Sequence, residues 1–127
     1  MIFVDTNVFV YAVGGAHPLR AEARTFLEHA VAESTPLCTS AEVLQELMHI
    51  YLPVDRIATL DAAMDLVRRS IPTVWPVEPE DVRLARTLVE DHPGLSARDL
   101  VHRASCIRRD VDRVKTFDRA LAAVFGT

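Results

Sequence analysis

Ile2, Phe3 and Val4 form a short apolar run that stops at Asp5, the pattern of a buried strand. Residues 6–13 stay mostly apolar until Gly14-Gly15 breaks the chain. Ala23, Phe26, Leu27, Ala30 and Val31 recur at helical spacing and predict a helix over 20–32, which Pro36 keeps from running on. Leu37-Cys38-Thr39 reads as a second short strand. Val43, Leu44, Leu47, Met48, Ile50 and Tyr51 then share one side of an amphipathic helix over 40–52. Pro53 separates it from a helix over 56–69, and Pro72 introduces Thr73-Val74-Trp75, a third strand. Pro79 suits the first turn of a helix over 79–91, Pro93-Gly94 is a loop, and 97–109 is a further helix. Residues 111–117 predict a strand and 119–124 a short helix. Short strands alternating with helices mean βαβ units and a parallel α/β sheet. In such sheets ligands bind beyond the carboxyl ends of the strands.

That geometry gives the acids their interest. Asp5 closes the first strand in Asp-Thr-Asn, and Asp118 follows Thr116-Phe117 at the end of the fourth. Asp99 lies in Ser96-Ala-Arg-Asp, at the start of a helix. Each can serve an ordinary structural purpose, Asp5 and Asp118 as N-caps and Asp99 as the acid of a capping box begun by Ser96. Glu42 fits a second capping box with Thr39 as N-cap. Glu46 borders the apolar stripe, between Val43 and Ile50, instead of lying opposite it. On the helix over 97–109, Leu100, Val101, Ala104 and Ile107 point one way and Asp99, His102, Arg103 and Cys106 the other. Together the three Asp residues would share one rim of one sheet. Crowded carboxylates raise one another's pKa unless a cation relieves them, and oxygen-only ligands suit Mg²⁺ or Mn²⁺.

Composition narrows the picture. The chain has 127 residues, half of them apolar and a quarter charged, which supports one packed domain over 1–127 and argues against disorder. The longest stretch free of Asp, Glu, Lys and Arg runs over 6–19, short of the roughly 20 residues a membrane helix needs. No basic segment precedes the first apolar run, so no signal peptide is expected, and Cys38 and Cys106 form no CxxC. Both points favour a cytoplasmic protein without disulfides. The net charge of −4 hides an asymmetry: residues 98–119 carry seven basic and four acidic side chains, a local +3, and the rest carries −7. That basic segment is either a phosphate-binding face or a solvated helix face. His102 and Cys106 are spaced as a soft-metal pair but lack further partners. No Walker A motif, GxGxxG or Ser-His-Asp pattern is present.

Asp-Thr-Asn closing the first strand, Leu44-Gln-Glu46-Leu, Ser-Ala-Arg-Asp99-Leu-Val-His and Thr116-Phe-Asp118, in that order, resemble a PIN domain. More narrowly they resemble a VapC-type toxin of a bacterial type II toxin–antitoxin pair. The resemblance implies a three-layer α/β/α fold around a parallel sheet of four to five short strands. It implies a metal-dependent ribonuclease whose acidic quartet is Asp5, Glu46, Asp99 and Asp118. Asp5, Asp99 and Asp118 would hold Mg²⁺ or Mn²⁺, with Glu46 binding directly or through water. Thr6, Asn7, Ser96 and Thr116 would support them, and Arg98 and Arg103 would hold flanking RNA phosphates. A cognate antitoxin and a homodimer are also implied, with a partner-helix groove expected along 40–52 and 56–69. Many relatives carry another acid after the position of Asp118, where Ala120-Leu121 stand here. The rivals are a haloacid-dehalogenase-like phosphatase, which needs a second Asp where Asn7 stands, a phospho-receiver domain, which needs an Asp where Trp75-Pro76 stands, and a non-catalytic module of the PIN fold.

Overall fold

The computed structural model describes residues 1–125. Its strands are β1 (Ile2–Val4), β2 (Leu37–Ser40), β3 (Thr73–Trp75) and β4 (Val114–Lys115), all parallel, in the order β3-β2-β1-β4. The helices are α1 (Thr6–Val13), α2 (Arg20–Ala32), α3 (Ala41–Tyr51), α4 (Ile57–Ser70), α5 (Pro79–Thr87), α6 (Ala97–Arg108) and α7 (Arg119–Phe125). Helix α1 packs on α2, α3 and α4, while α6 packs on α5 and α7, giving the expected α/β/α layering. Residues 126 and 127 of the expected domain lie outside the described residues. Among the described residues no helix is long and apolar enough to cross a membrane.

Strand β1 is fully buried and flanked on both sides, with Phe3 opposite Cys38 and Val114. From β1 the chain crosses to β2 and β3 on one side and later returns to β4 on the other. The reversal places a crevice at the carboxyl end of β1, where Asp5 stands.

Several local expectations change. The fourth strand shrinks to two residues because Asp110, at φ 56°, closes the end of α6 and commits the Val111 amide to Cys106 O at 2.9 Å. Helix α5 ends at Thr87, since the Leu88 and Val89 amides bond carbonyls three residues back and tighten the turn. Thr39 belongs to β2 and its hydroxyl donates to Val4 O at 2.8 Å, so the Thr39–Glu42 capping box does not form. Helix α3 buries only Val43, Leu47 and Tyr51; Met48 and Ile50 are 41% and 39% exposed.

Helix α6 is covered on two sides. Leu100 and Ala104 pack against Ala85, while His102 and Cys106 turn inward toward the sheet, both fully buried. An ion cluster fixes α5 there: buried Asp81 accepts from Arg108 at 2.7 Å, Arg109 at 2.9 Å and the Glu78 amide at 2.8 Å. Arg109 also covers the Trp75 ring at 4.9 Å.

Candidate active site

The end of β1 delivers Asp5 into the crevice and at once starts α1. Asp5 is the N-cap of α1, its Oδ1 accepting from the Thr6 amide at 2.8 Å. Its Oδ2 accepts from the Thr116 hydroxyl at 2.7 Å. The same hydroxyl oxygen accepts from Asn7 Nδ2 at 3.1 Å and from the Asp118 amide at 3.0 Å. Asn7 Oδ1 accepts from the Phe117 amide at 3.2 Å. The loop after β4 is thus tied to the first turn of α1. Asp118 in turn caps α7, its Oδ1 accepting from Ala120 and Leu121 amides at 2.8 and 3.2 Å, which aims the carboxylate at the crevice rim.

Helices α3 and α6 supply the other acids. Ser96 caps α6, its Oγ accepting from the Asp99 amide at 3.2 Å, so the cap is the serine's and the Asp99 carboxylate is left for the crevice. Glu46 Oε1 lies 2.7 Å from His102 Nε2, and Asp5 Oδ1 is 3.6 Å from the same nitrogen. Asp5, Glu46, Asp99 and Asp118 line one cavity of about 250 Å³ together with Thr6 and Asn7.

Charge is crowded here. Burial raises the Asp5 carboxyl above its ordinary range, against the lowering effect of His102, Thr116 and the Thr6 amide. Burial also raises Asp99, with Asp5, Asp118 and Glu46 adding to the rise and His102 opposing it. For His102, burial acts against the charged ring. The hydrogen bond to Glu46 and the charges of Asp5, Glu46 and Asp99 outweigh it, so its pKa is raised.

The arginines diverge. Arg98 does not line the cavity but is 42% exposed, with one guanidinium nitrogen 4.0 Å from Glu46 Oε2. Arg103 instead lies over the Phe125 ring at 4.6 Å. Asp110 and Asp112 do not line the cavity. The soft-metal pair dissolves: Cys106 is a buried thiol in the core, pushed up by desolvation, while His102 joins Asp5 and Glu46 in a group whose ligand atoms lie within 4.8 Å of one another. His102, weighed in the sequence only as half of a soft-metal pair with Cys106, joins the acids instead; its place on the Asp99 side of the helix was the available signal.

On the far side of α1 a larger concavity of about 790 Å³ opens between α2 and α4. Leu27 and Val31 form one wall and Ala62 and Leu66 the other, so α2, not α3, is the partner of α4 in that groove.

The PIN-domain family model matches residues 2–125. Ribonuclease VapC23 of Mycobacterium tuberculosis is 59% identical over 125 residues, covering 98% of each chain. Among solved structures, Mycobacterium tuberculosis VapC20, described as a sarcin–ricin-loop-cleaving toxin, superposes with a TM-score of 0.75 at 22% identity, over 98% of this chain and 95% of that one. A toxin–antitoxin complex from Klebsiella pneumoniae matches with a TM-score of 0.68 at 15% identity, over 98% and 92%. With the acid-lined crevice at the end of β1 and a family match along the described length, the chain belongs to the PIN-domain family, among its VapC-type members.

Proposed function

We propose that this chain is a divalent-metal-dependent endoribonuclease and the toxin of a type II toxin–antitoxin pair, acting in the cytoplasm as a single domain over 1–127. The carrying observation is the convergence of Asp5, Glu46, Asp99 and Asp118 on one cavity. The donor set fits Mg²⁺ or Mn²⁺: the converging groups are hard carboxylate oxygens, and the Asp5 and Asp99 carboxyls are raised first by burial and further by neighbouring carboxylates, a cost to their ionised forms that a cation relieves. Asp5, Asp99 and Asp118 would hold the ion, and Glu46 would bind directly or through water. A divalent ion held there supplies Lewis-acid stabilisation of a phosphodiester transition state and lowers the pKa of water.

The protein's own contribution is placement. Thr116 holds Asp5 Oδ2, Asn7 holds Thr116, and the α7 amides orient Asp118, so the Asp5 and Asp118 carboxylates are fixed before any substrate arrives. Arg98, exposed and near Glu46, would meet a flanking phosphate. Arg103, from its position over Phe125, would meet the backbone further out. Asn7 is bonded at both ends of its amide and offers no acid, which weighs against the phosphatase reading.

For partners we propose a small antitoxin protein seated in the groove between α2 and α4, and a homodimer. The exposed apolar residues Met48, Ile50, Leu52, Val54 and Ile57 give the second copy an apolar surface.

The test is cleavage of cellular RNA by the purified protein with Mg²⁺, with Mn²⁺, with EDTA and with Asp5→Asn. Cleavage by the wild type with metal alone is expected. Cleavage in EDTA refutes the metal chemistry, and hydrolysis of an aryl phosphate with RNA left intact refutes the substrate class.

A further inference from the structure

We propose that His102 is a positioning residue for the metal site, fixing the Glu46 carboxylate through a buried Nε2–H donor. This deepens the ribonuclease reading and rests on it. Glu46 comes from α3 and has no hydrogen bond to its own helix or to the sheet among those described; its close contact is His102 Nε2 at 2.7 Å. A carboxylate only accepts, so the proton of that bond sits on Nε2. The imidazole is fully buried and its ring lies 5.2 Å from the Phe3 ring, centroid to centroid. Its Nδ1 is buried with no partner. A buried ring with one nitrogen unsatisfied is costly unless the other does something the site needs.

What it does follows from the distances. Nε2 holds Glu46 Oε1, which leaves Oε2 on the side of Arg98, 4.0 Å away. The same nitrogen stands 3.6 Å from Asp5 Oδ1, between two carboxylates that would otherwise repel across the cavity. His102 is also one helical turn beyond Asp99 on α6. One ring therefore sets Glu46, from a different helix, in register with Asp5 and Asp99. Partners of this kind, one step removed from the ion, commonly carry a 10–100-fold effect on metal affinity.

The experiment separates donation from packing. The amide nitrogen of Gln stands as far along its side chain as imidazole Nε2, and that of Asn as far as Nδ1. Mn²⁺ affinity is measured by electron paramagnetic resonance on wild type, His102→Gln, His102→Asn and His102→Leu, with thermal melts and cleavage rates beside it. His102→Asn and His102→Leu should bind Mn²⁺ about tenfold or more weakly and lose kcat with little change in KM, and His102→Gln should recover most of both. In a Glu46→Gln background the His102 substitutions should add little further loss of affinity. If His102→Gln is no better than His102→Asn, or if no variant changes Mn²⁺ affinity, the ring only packs against Phe3 and the proposal is overturned. A metal-free measurement keeps the two proposals apart. The ring nitrogen signals of the wild type in EDTA should show a protonated, hydrogen-bonded Nε2 that is lost in Glu46→Ala. Absence of that signal overturns the role of His102 even if RNA is cleaved. Its presence in a protein that neither binds Mn²⁺ nor cuts RNA overturns the ribonuclease reading, and with it the metal-site role.

Discussion

Thr116→Val tests whether one hydroxyl holds the rim of the crevice together. The substitution keeps the branched shape and deletes the Oγ1 that meets Asp5 Oδ2 at 2.7 Å, Asn7 Nδ2 at 3.1 Å and the Asp118 amide at 3.0 Å. A bond to a carboxylate contributes ~1.5–3 kcal/mol and a neutral one ~0.5–1.5 kcal/mol. All three are part-buried, so water entering the cavity recovers some of this, and the expected net loss is ~2–3 kcal/mol. For a domain of this size that lowers Tm by ~6–15 °C. Thr116→Ser keeps the hydroxyl and should lose less than half as much. The shift also depends on pH. The folded Asp5 pKa lies above its value of 3.8 in the open chain, so the stability tied to its proton is full below that value and is lost as pH rises through the folded pKa. The Thr116 bond lowers that folded pKa, so Thr116→Val raises it further and extends the loss to higher pH. The gap between wild type and Thr116→Val should therefore widen as pH rises from the open-chain value of 3.8 toward neutrality. Thermal melts by circular dichroism, in EDTA, across that range are the assay. Valine and serine variants melting within ~2 °C of each other, or a gap that ignores pH, would refute the reasoning.

Glu46→Gln should leave Tm within a few degrees of wild type and cut the proposed RNA cleavage ~10–100-fold, whereas Glu42→Gln, whose capping box is not formed, should change stability by less than ~0.5 kcal/mol and leave cleavage intact. Melts and cleavage rates on the pair decide which glutamate belongs to the quartet. Asp99→Asn should raise the Tm of the metal-free protein near neutral pH, because burial and neighbouring charge disfavour its ionised form, while cleavage falls ~100-fold or more. A lower Tm in EDTA would contradict the crowding. Asp81→Asn should destabilise by ~2–4 kcal/mol, since among the described residues it leaves Arg108 and Arg109 with Glu78 as their one remaining carboxylate. Burial works against the Asp81 charge, but the bonds from Arg109, the Glu78 amide and Arg108 hold its carboxyl below the ordinary value of 3.8. Its stabilisation is present above pH 3.8 and lost as pH falls through the folded pKa, so an acid titration of stability should be flatter in the variant.

The apolar rhythm of the chain carried the parallel sheet, because Ile2-Phe3-Val4 and Leu37-Cys38-Thr39 are strands buried on both faces and read as short runs without charge. Asp5, Asp99 and Asp118 were legible because each stands at an element boundary, where a carboxylate has a local reason to be. Thr39 misled because its hydroxyl answers to a carbonyl on the neighbouring strand, a tertiary contact with no local trace. His102 misled for the opposite reason. Polar residues on one side of a helix suggest solvent, yet on α6 that side faces the acids and the sheet. The start of the fourth strand was hidden by Asp110, a non-glycine residue in the left-handed region that the composition does not announce.

The pairing of β1 with β4 has a consequence in time. Thr116 and Asp5 are 111 residues apart along the chain, and contacts of that separation close late, after the loop entropy between them has been met. A chain growing from the ribosome carries Asp5 and Glu46 early, but one edge of β1 stays bare and Asp5 Oδ2 stays loose. Asp118 does not yet exist. With the acids in their proposed roles, such a chain does not cut the RNA around it until residues 114–118 have been made and have docked beside β1. On the proposed reading the order in which the acids are translated works as a delay, and a partner seated between α2 and α4 has the interval from the completion of α4 to the docking of β4 in which to bind first.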